Sequence, residues 1–451
     1  MTETTRTRPR TGDELELTID RLAHGGAGVA RLDGYVVFVR GAVPGDRVKA
    51  RVTKSKRSFA EADSVDLLEP SPDRVEPVAP HPGAPWQVLP YERQLAEKED
   101  QVRDALARIG RFESPPVEPI VPAIEPLRYR NKLEYSFGED EDGELVLGFH
   151  RPGRWDAIDD VTTDILASER VDELREAVKA WCRAEGLSVW DRRGQQGVLR
   201  NLVVREGRRT GQLQARVVTS PGAQFRVEEL AAATPADSFL WTRAAGVAET
   251  TRDGETDLIK GSAKLEEELS GLRFQISPDA FFQTNTEMAE RLYGAAIELA
   301  GLSGRERVLD LFCGIGTIAL ALALDAGEVW GVEIVEEAVA DAIENARLNG
   351  VDNANFFAGD VRLAMRPLLE QSGEPDVVVV DPPRAGLSQK VVRRIIEAAP
   401  ERIVYVSCNP TTLAPNAAQL VEAGWTLKHV RPVDMFPQTP HIECVALLER
   451  S

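Results

Sequence analysis

Arg307-Val308-Leu309-Asp310-Leu311-Phe312-Cys313 reads as a strand, and Gly314-Ile315-Gly316-Thr317 directly after it breaks that run and opens a helix. Glycines at Gly314 and Gly316 permit a sharp turn and the close approach of a ligand to backbone amides. Glu333 closes the next strand-like run, where a carboxylate can accept hydrogen bonds from two ribose hydroxyls. Further outward, candidate strands at 307–313, 328–333, 355–358, 376–381 and 402–406 alternate with helical stretches, the pattern of a doubly wound parallel sheet. Residues 427–430 and 442–448 have no helix between them. They are expected to form an antiparallel pair at the sheet edge.

The glycine turn alone fits S-adenosylmethionine and NAD equally well. Asp360 follows the third strand, where it can meet an adenine ring or simply cap a helix. Asp381-Pro382-Pro383 ends the fourth strand in a rigid turn at the carboxyl edge of the sheet, facing the ligand crevice. This combination suits an adenosyl cofactor without a pyrophosphate. Cys408, in Val406-Ser407-Cys408-Asn409-Pro410, ends the fifth strand. Asn409 and Pro410 look like a helix N-cap and first helical residue, so the helix dipole is expected to favour a thiolate there. A buried, inert cysteine is the alternative. Glu443 sits within a mostly apolar strand, either as an edge residue in water or as a base whose pKa a pocket raises.

The composition is that of a soluble globular protein of two or three domains: 451 residues, 43% hydrophobic and 28% charged. No apolar run approaches the ~20 residues needed to cross a bilayer, and the polar N-terminus lacks a signal-peptide core, so a cytoplasmic protein is expected. The four cysteines (Cys182, Cys313, Cys408, Cys444) form no C-x-x-C pair, and the five histidines show no ligand spacing, so no metal site is expected. The net charge of −19 argues against a surface that coats nucleic acid. Residues 1–60, however, carry 12 Lys and Arg against 7 Asp and Glu. Phosphate contacts would then be confined to a basic arm and a lined cleft.

That arm reads as a disordered tail, 1–12, followed by a small β-barrel of the oligonucleotide-binding type, 13–70, with short strands punctuated by glycine. Lys54, Lys56 and Arg57, with Phe59 beside them, can meet phosphates and a base; a solvated hairpin tip is the alternative. Residues 71–126 read as a proline-rich linker enclosing a helix from Tyr91 to Ile109. Residues 127–280 form an α+β middle, and 281–451 the Rossmann-like domain.

Joined in order, these features resemble the uracil-5 RNA methyltransferase family, which modifies tRNA or ribosomal RNA. The N-terminal part resembles a TRAM domain. Arg128-Tyr129-Arg130-Asn131-Lys132 resembles the family's Arg-Asn-Lys segment, and Phe281-Phe282-Gln283-Thr284-Asn285 its Phe-x-Gln-x-Asn motif. Ser407-Cys408-Asn409-Pro410 with His441-Ile442-Glu443 resembles its catalytic pair. The resemblance implies that Gln283, Phe312, Glu333, Asp360 and Asp381, together with the loop of Gly314 and Gly316, contact S-adenosylmethionine. It also implies that Cys408 is the nucleophile, Glu443 the base, and Arg130, Asn131 and Lys132 part of the RNA contact. Many relatives carry an iron–sulfur cysteine cluster just before the segment matched by Tyr91-Glu92-Arg93-Gln94-Leu95; residues 79–86 here contain no cysteine, so no cluster is expected. The reading is therefore a multidomain α/β enzyme, monomeric, that methylates carbon 5 of a specific uridine. An RNA cytosine-5 methyltransferase would carry a cysteine where Arg384 stands. An NAD-dependent oxidoreductase and a non-catalytic RNA-binding protein are the rivals from other classes.

Overall fold

A computed structural model describes residues 8–222, 224–246 and 254–451. The C-terminal sheet holds the strands Arg307–Leu311, Glu328–Glu333, Ala354–Ala358, Val377–Val380, Arg402–Ser407, Trp425–Val433 and Glu443–Arg450. Numbered in chain order, their spatial order is 3-2-1-4-5-7-6, with the seventh antiparallel to both neighbours. The order reverses between strands 1 and 4, and that switch point opens the ligand crevice at their carboxyl ends. Near-continuous apolar strands such as Val377–Val380 are buried on both faces, as a parallel sheet covered by helices requires. Beyond strand 6, residues 116–121 add bridges at Val117 to Val430 and Val121 to Val433, which covers the exposed edge.

The N-terminal domain is a curled six-stranded sheet in the order Glu14–Thr18, Arg47–Ser55, Phe59–Glu69, Tyr35–Arg40, Gly28–Leu32 and Arg21–Leu22. Alternate residues Val37 and Val39, with Val48, Ala50 and Val52, fill its core. Of the expected tail, residues 1–7 lie outside the described residues. Residues 8–12 do not hang free: the Arg8 guanidinium donates to Ser55 Oγ at 2.9 Å and Gly12 N to Val52 O at 2.8 Å.

The middle domain is a seven-stranded sheet backed by the helices Glu169–Ala184 and Val227–Ala233. Two expected boundaries move. The hairpin of Leu265–Leu269 and Leu272–Ile276 packs with the helix Thr286–Ala300 in the core of the C-terminal domain, so that unit starts well before 281. The helix Tyr91–Arg108 is no linker element, because Val102 and Leu106 are buried among residues of the C-terminal sheet.

Residues 79–86 are fixed by a buried polar group. His81 Nε2 lies 2.9 Å from Asp164 Oδ1, and the Tyr135 hydroxyl donates to Asp164 Oδ2 at 2.7 Å. Burial pushes the Asp164 carboxyl up, but hydrogen bonds led by His81 outweigh it and hold it below the usual range. Among the described residues no group of His, Cys, Asp or Glu side chains is arranged to hold a metal, and no helix is long and apolar enough to cross a membrane.

The helix Tyr91–Arg108 grips the loop 434–441 through a second buried group. Lys98 Nζ donates to Asp434 Oδ1 at 2.6 Å and to Phe436 O at 3.0 Å, and the Tyr91 hydroxyl donates to Asp434 Oδ2 at 2.8 Å. Neither side chain of the ion pair is solvent-exposed. Removing one partner leaves an uncompensated buried charge, so Lys98→Met or Asp434→Leu alone is expected to cost about 3–5 kcal/mol in urea unfolding, and the double substitution much less. Equal and additive losses would show that the pair is not coupled.

Candidate active site

The cofactor turn is held in a strained form. Phe312 has φ +69°, in the left-handed region, while its amide and that of Cys313 both donate to Val332 O, at 2.8 and 3.1 Å. Gly316 has φ +83°, and a Cβ there would lie 3.0 Å from Phe356 Cζ and 3.2 Å from Ala342 Cβ. At Gly314, φ +55°, a Cβ would meet nothing within 4 Å, so the turn is open on that side. Glu333 is aimed by three amides: Gly314 N at 3.2 Å, Ile334 N at 2.7 Å and Val335 N at 3.0 Å.

Two further carboxylates face the same crevice. Asp310 is fully buried with no well-formed hydrogen bond to either oxygen; the Ala319 amide is close enough to favour its charge only slightly. Burial, then Asp381 and Glu333, push the Asp310 carboxyl up to about 8. Burial alone pushes Asp381 up to about 7. Both groups act on buried Tyr293, whose hydroxyl lies 3.4 Å from Thr317 Oγ1 and beside the Gln283 side chain. Buried acids without cations are costly, and such sites commonly await a cationic ligand.

The sheet register sets Cys408 against Glu443. Strands 5 and 7 pair antiparallel through Ser407 to Cys444, and Cys408 and Glu443 flank that pair on the two strands, near enough for Glu443 to act on the thiol. Asn409 caps the helix Pro410–Glu422 as expected, accepting from Thr411 N at 3.0 Å. Its amide also donates to Arg384 O at 3.1 Å, which ties the Asp381-Pro382-Pro383 turn to the cysteine.

The cap does not produce the expected thiolate. Burial, then Glu443 and Asp381, push the Cys408 thiol up to about 11, with Arg384 opposing them only partly. Glu443 is 4% exposed, and burial followed by Asp381 raises its carboxyl well above the ordinary range. Burial, reinforced by two carboxylates, thus keeps the thiol protonated despite the helix cap.

Other expected site residues divide. Asp360 is the N-cap of the helix Val361–Ser372, accepting from Arg362 N at 2.9 Å, and is paired with the Arg362 guanidinium, so both oxygens are engaged locally. Asn131 is a structural residue rather than a surface contact. It is 5% exposed, and its amide donates to Gln283 O and Thr286 Oγ1, both at 2.9 Å, which positions the Gln283 segment. Lys132 is mostly buried and paired with Glu134 at 2.7 Å, and Lys54 is paired with Glu61 at 2.9 Å. Lys56 and Arg57 are exposed at their turn. Arg130 stacks near the Phe436 ring, 5.9 Å from its centroid, and its buried Nε has no hydrogen-bond partner.

Sequence reading passed over Asp310, although a carboxylate inside the apolar run 307–313 was the available signal. Tyr293 carried none beyond helical spacing.

The sequence model of the tRNA (uracil-5-)-methyltransferase family matches residues 254–451, and that of the TRAM domain matches residues 8–65. An RNA methyltransferase of Halalkalibacterium halodurans, named as uncharacterized, is 40% identical over 448 residues, 97% of each chain. A second, from Chlorobaculum tepidum, is 40% identical over 98% of each chain. Among solved structures, the tRNA (uracil-54, C5)-methyltransferase of Pyrococcus abyssi in complex with S-adenosyl-L-homocysteine superposes with a TM-score of 0.79. It is 30% identical, over 96% of this chain and all of that one. With its glycine turn, its facing cysteine and glutamate and its N-terminal TRAM domain, the chain belongs to the tRNA (uracil-5-)-methyltransferase family of RNA methyltransferases.

Proposed function

We propose that this protein methylates carbon 5 of a specific uridine in tRNA or ribosomal RNA, with S-adenosylmethionine as donor and Cys408 as covalent nucleophile. The observation that carries the reading is the proximity of Cys408 to a buried Glu443, next to the Ser407 to Cys444 strand pair and beside the crevice of Asp310, Glu333 and Asp381. These carboxylates fit the donor, which supplies an electrophilic methyl group on a cationic sulfur. Glu333 is oriented for ribose hydroxyls, and Gly314 leaves room for the ligand. Asp360 meets an adenine only if it releases Arg362, so its part in binding is the weakest of the set.

Carbon 5 of uracil is a poor nucleophile until sulfur adds to carbon 6. Cys408 must first lose its proton, and the Asp381 carboxylate beside it is the acceptor at hand, which leaves Glu443 free for the later step. Sulfur then bonds to carbon 6, and carbon 5 becomes enolate-like and takes the methyl group. Glu443, ionised at that stage, removes the carbon 5 proton; the carbon–sulfur bond breaks, and Cys408 leaves as a thiolate that regains a proton. The target base must leave its stack to reach a thiol this far inside, at a cost of a few kcal/mol.

RNA carrying 5-fluorouridine at the target should form a lasting adduct, because fluorine cannot leave as a proton. A shifted band on a denaturing gel is expected with the native protein and none with Cys408→Ala; a band with both would remove Cys408 from the mechanism. Glu443→Gln should lower turnover by about 10²–10⁴ while RNA bearing the normal uridine accumulates as adduct. Loss of adduct together with turnover would instead make Glu443 part of the attack step.

Cofactor affinity should follow the carboxylates. Asp381 at about 7 and Asp310 at about 8 are protonated as pH falls, and a cationic ligand prefers them ionised. Calorimetry should therefore find S-adenosylmethionine binding tightening between about pH 6 and pH 9, and S-adenosylhomocysteine, which lacks the sulfonium charge, tightening less. Identical slopes would place the sulfonium away from these acids.

A further inference from the structure

The barrel does more than lie beside the catalytic domain. Its turn Ala23–Ala27, closed by Ala23 N to Ala27 O at 2.8 Å, packs on the loop that leads into Glu443. A Cβ on Gly26 would lie 2.8 Å from Pro440 Cβ and 2.9 Å from Pro440 Cγ, so the turn packs against the Pro440 ring as closely as glycine permits. His24 rides on this turn. Its Nδ1 is buried without a hydrogen-bond partner, and Arg384 is near enough to disfavour its protonation, after burial itself.

Arg384 follows the Asp381-Pro382-Pro383 turn and is exposed, with its backbone oxygen held by Asn409. Its guanidinium acts on Glu443 and on Cys408 from a distance, and no close ion pair holds it among the described residues. Nearby, Arg130 lies over the Phe436 ring, and Phe436 meets His441 edge to face with ring centroids 5.9 Å apart. His441 feels Arg384, Arg130, Lys98 and His24 together. In a chain of net charge −19, basic groups from the barrel (His24), the middle domain (Arg130) and the catalytic domain (Arg384) thus converge around His441, and Arg384 reaches Cys408 as well. Such a convergence is unfavourable until an anion enters it.

We propose that His24 and Arg384 seat the backbone phosphate next to the target uridine, so that the barrel completes the nucleotide pocket and aligns the base over Cys408. The inference rests on the reading of this protein as an RNA methyltransferase acting at uridine. His24 is a positioning residue in this account. It donates to a phosphate oxygen while the base, one sugar away, reaches the thiol.

The test uses an RNA in which the full-length protein methylates a mapped uridine. His24→Gln and Arg384→Gln are each expected to lower kcat/KM by about tenfold or more, with Arg384→Lys recovering part of the loss. S-adenosylhomocysteine binding should be unchanged for His24→Gln, which reports an intact cofactor crevice. Each phosphate flanking the uridine is then replaced in turn by an uncharged methylphosphonate. One replacement should cost the native protein as much as the Arg384 variant loses, and should cost the variants less than roughly threefold more. Fully multiplicative losses at every flanking position would overturn the proposal while leaving uridine methylation intact. Should the native protein methylate no uridine in tRNA or ribosomal RNA, the methylation reading falls first and this inference with it.

Discussion

The buried pair of Lys98 and Asp434 is the constraint on which the catalytic geometry depends. The loop 434–441 has no regular secondary structure of its own, yet it must deliver Glu443 to the strand edge in register with Cys408. Its order comes from outside. Lys98 and Tyr91 hold Asp434, Gln94 exchanges hydrogen bonds with Gln438 at 2.8 and 2.9 Å, and the Tyr129 hydroxyl donates to Pro437 O at 3.0 Å. Asn285 adds a bond to Met435 O at 2.9 Å, and Trp86 N donates to Gln438 O at 3.0 Å. Every part of the chain outside the catalytic sheet therefore bears on one short loop, which explains why the expected linker is packed like a core element.

A second consequence is electrostatic. Asp310 and Glu443 are buried and Asp381 is half-buried, all three without a neutralising ion pair among the described residues, a costly arrangement in the free protein. Their charges are held back by one another and by burial, so the free enzyme keeps Cys408 protonated. In the proposed mechanism reactivity is thereby tied to ligand arrival: a cation in the crevice favours the ionised acids, which can then accept protons from the thiol and from carbon 5. An unliganded enzyme with a thiol at about 11 is also poorly reactive towards other electrophiles.

Much of the fold was legible because its signals are local. Strand positions in the C-terminal sheet follow from apolar runs ended by glycine, Asp-Pro-Pro or Asn-Pro, and the barrel strands follow from period-two alternation. Cys408 and Glu443 stood out because each interrupts a pattern that packing alone would not produce. Less legible were residues whose role depends on a distant partner. Asn131 belongs to a segment suited to RNA contact, yet the backbone it holds is Gln283, 152 residues away. Asp360 carries a cap that competes with any ligand, and Lys98 looks like a surface residue until Asp434 is placed beside it.

What the amino-acid sequence determined by itself was the order of elements, the left-handed glycine turn and the proposed nucleophile and base, since these depend on backbone preference and residue type. The tertiary structure alone decided the protonation of Cys408, the partners that orient its loop and the docking of the barrel turn at the catalytic opening. Those depend on burial and on charges many residues apart in the chain, and no periodicity in a linear sequence encodes a distance in space.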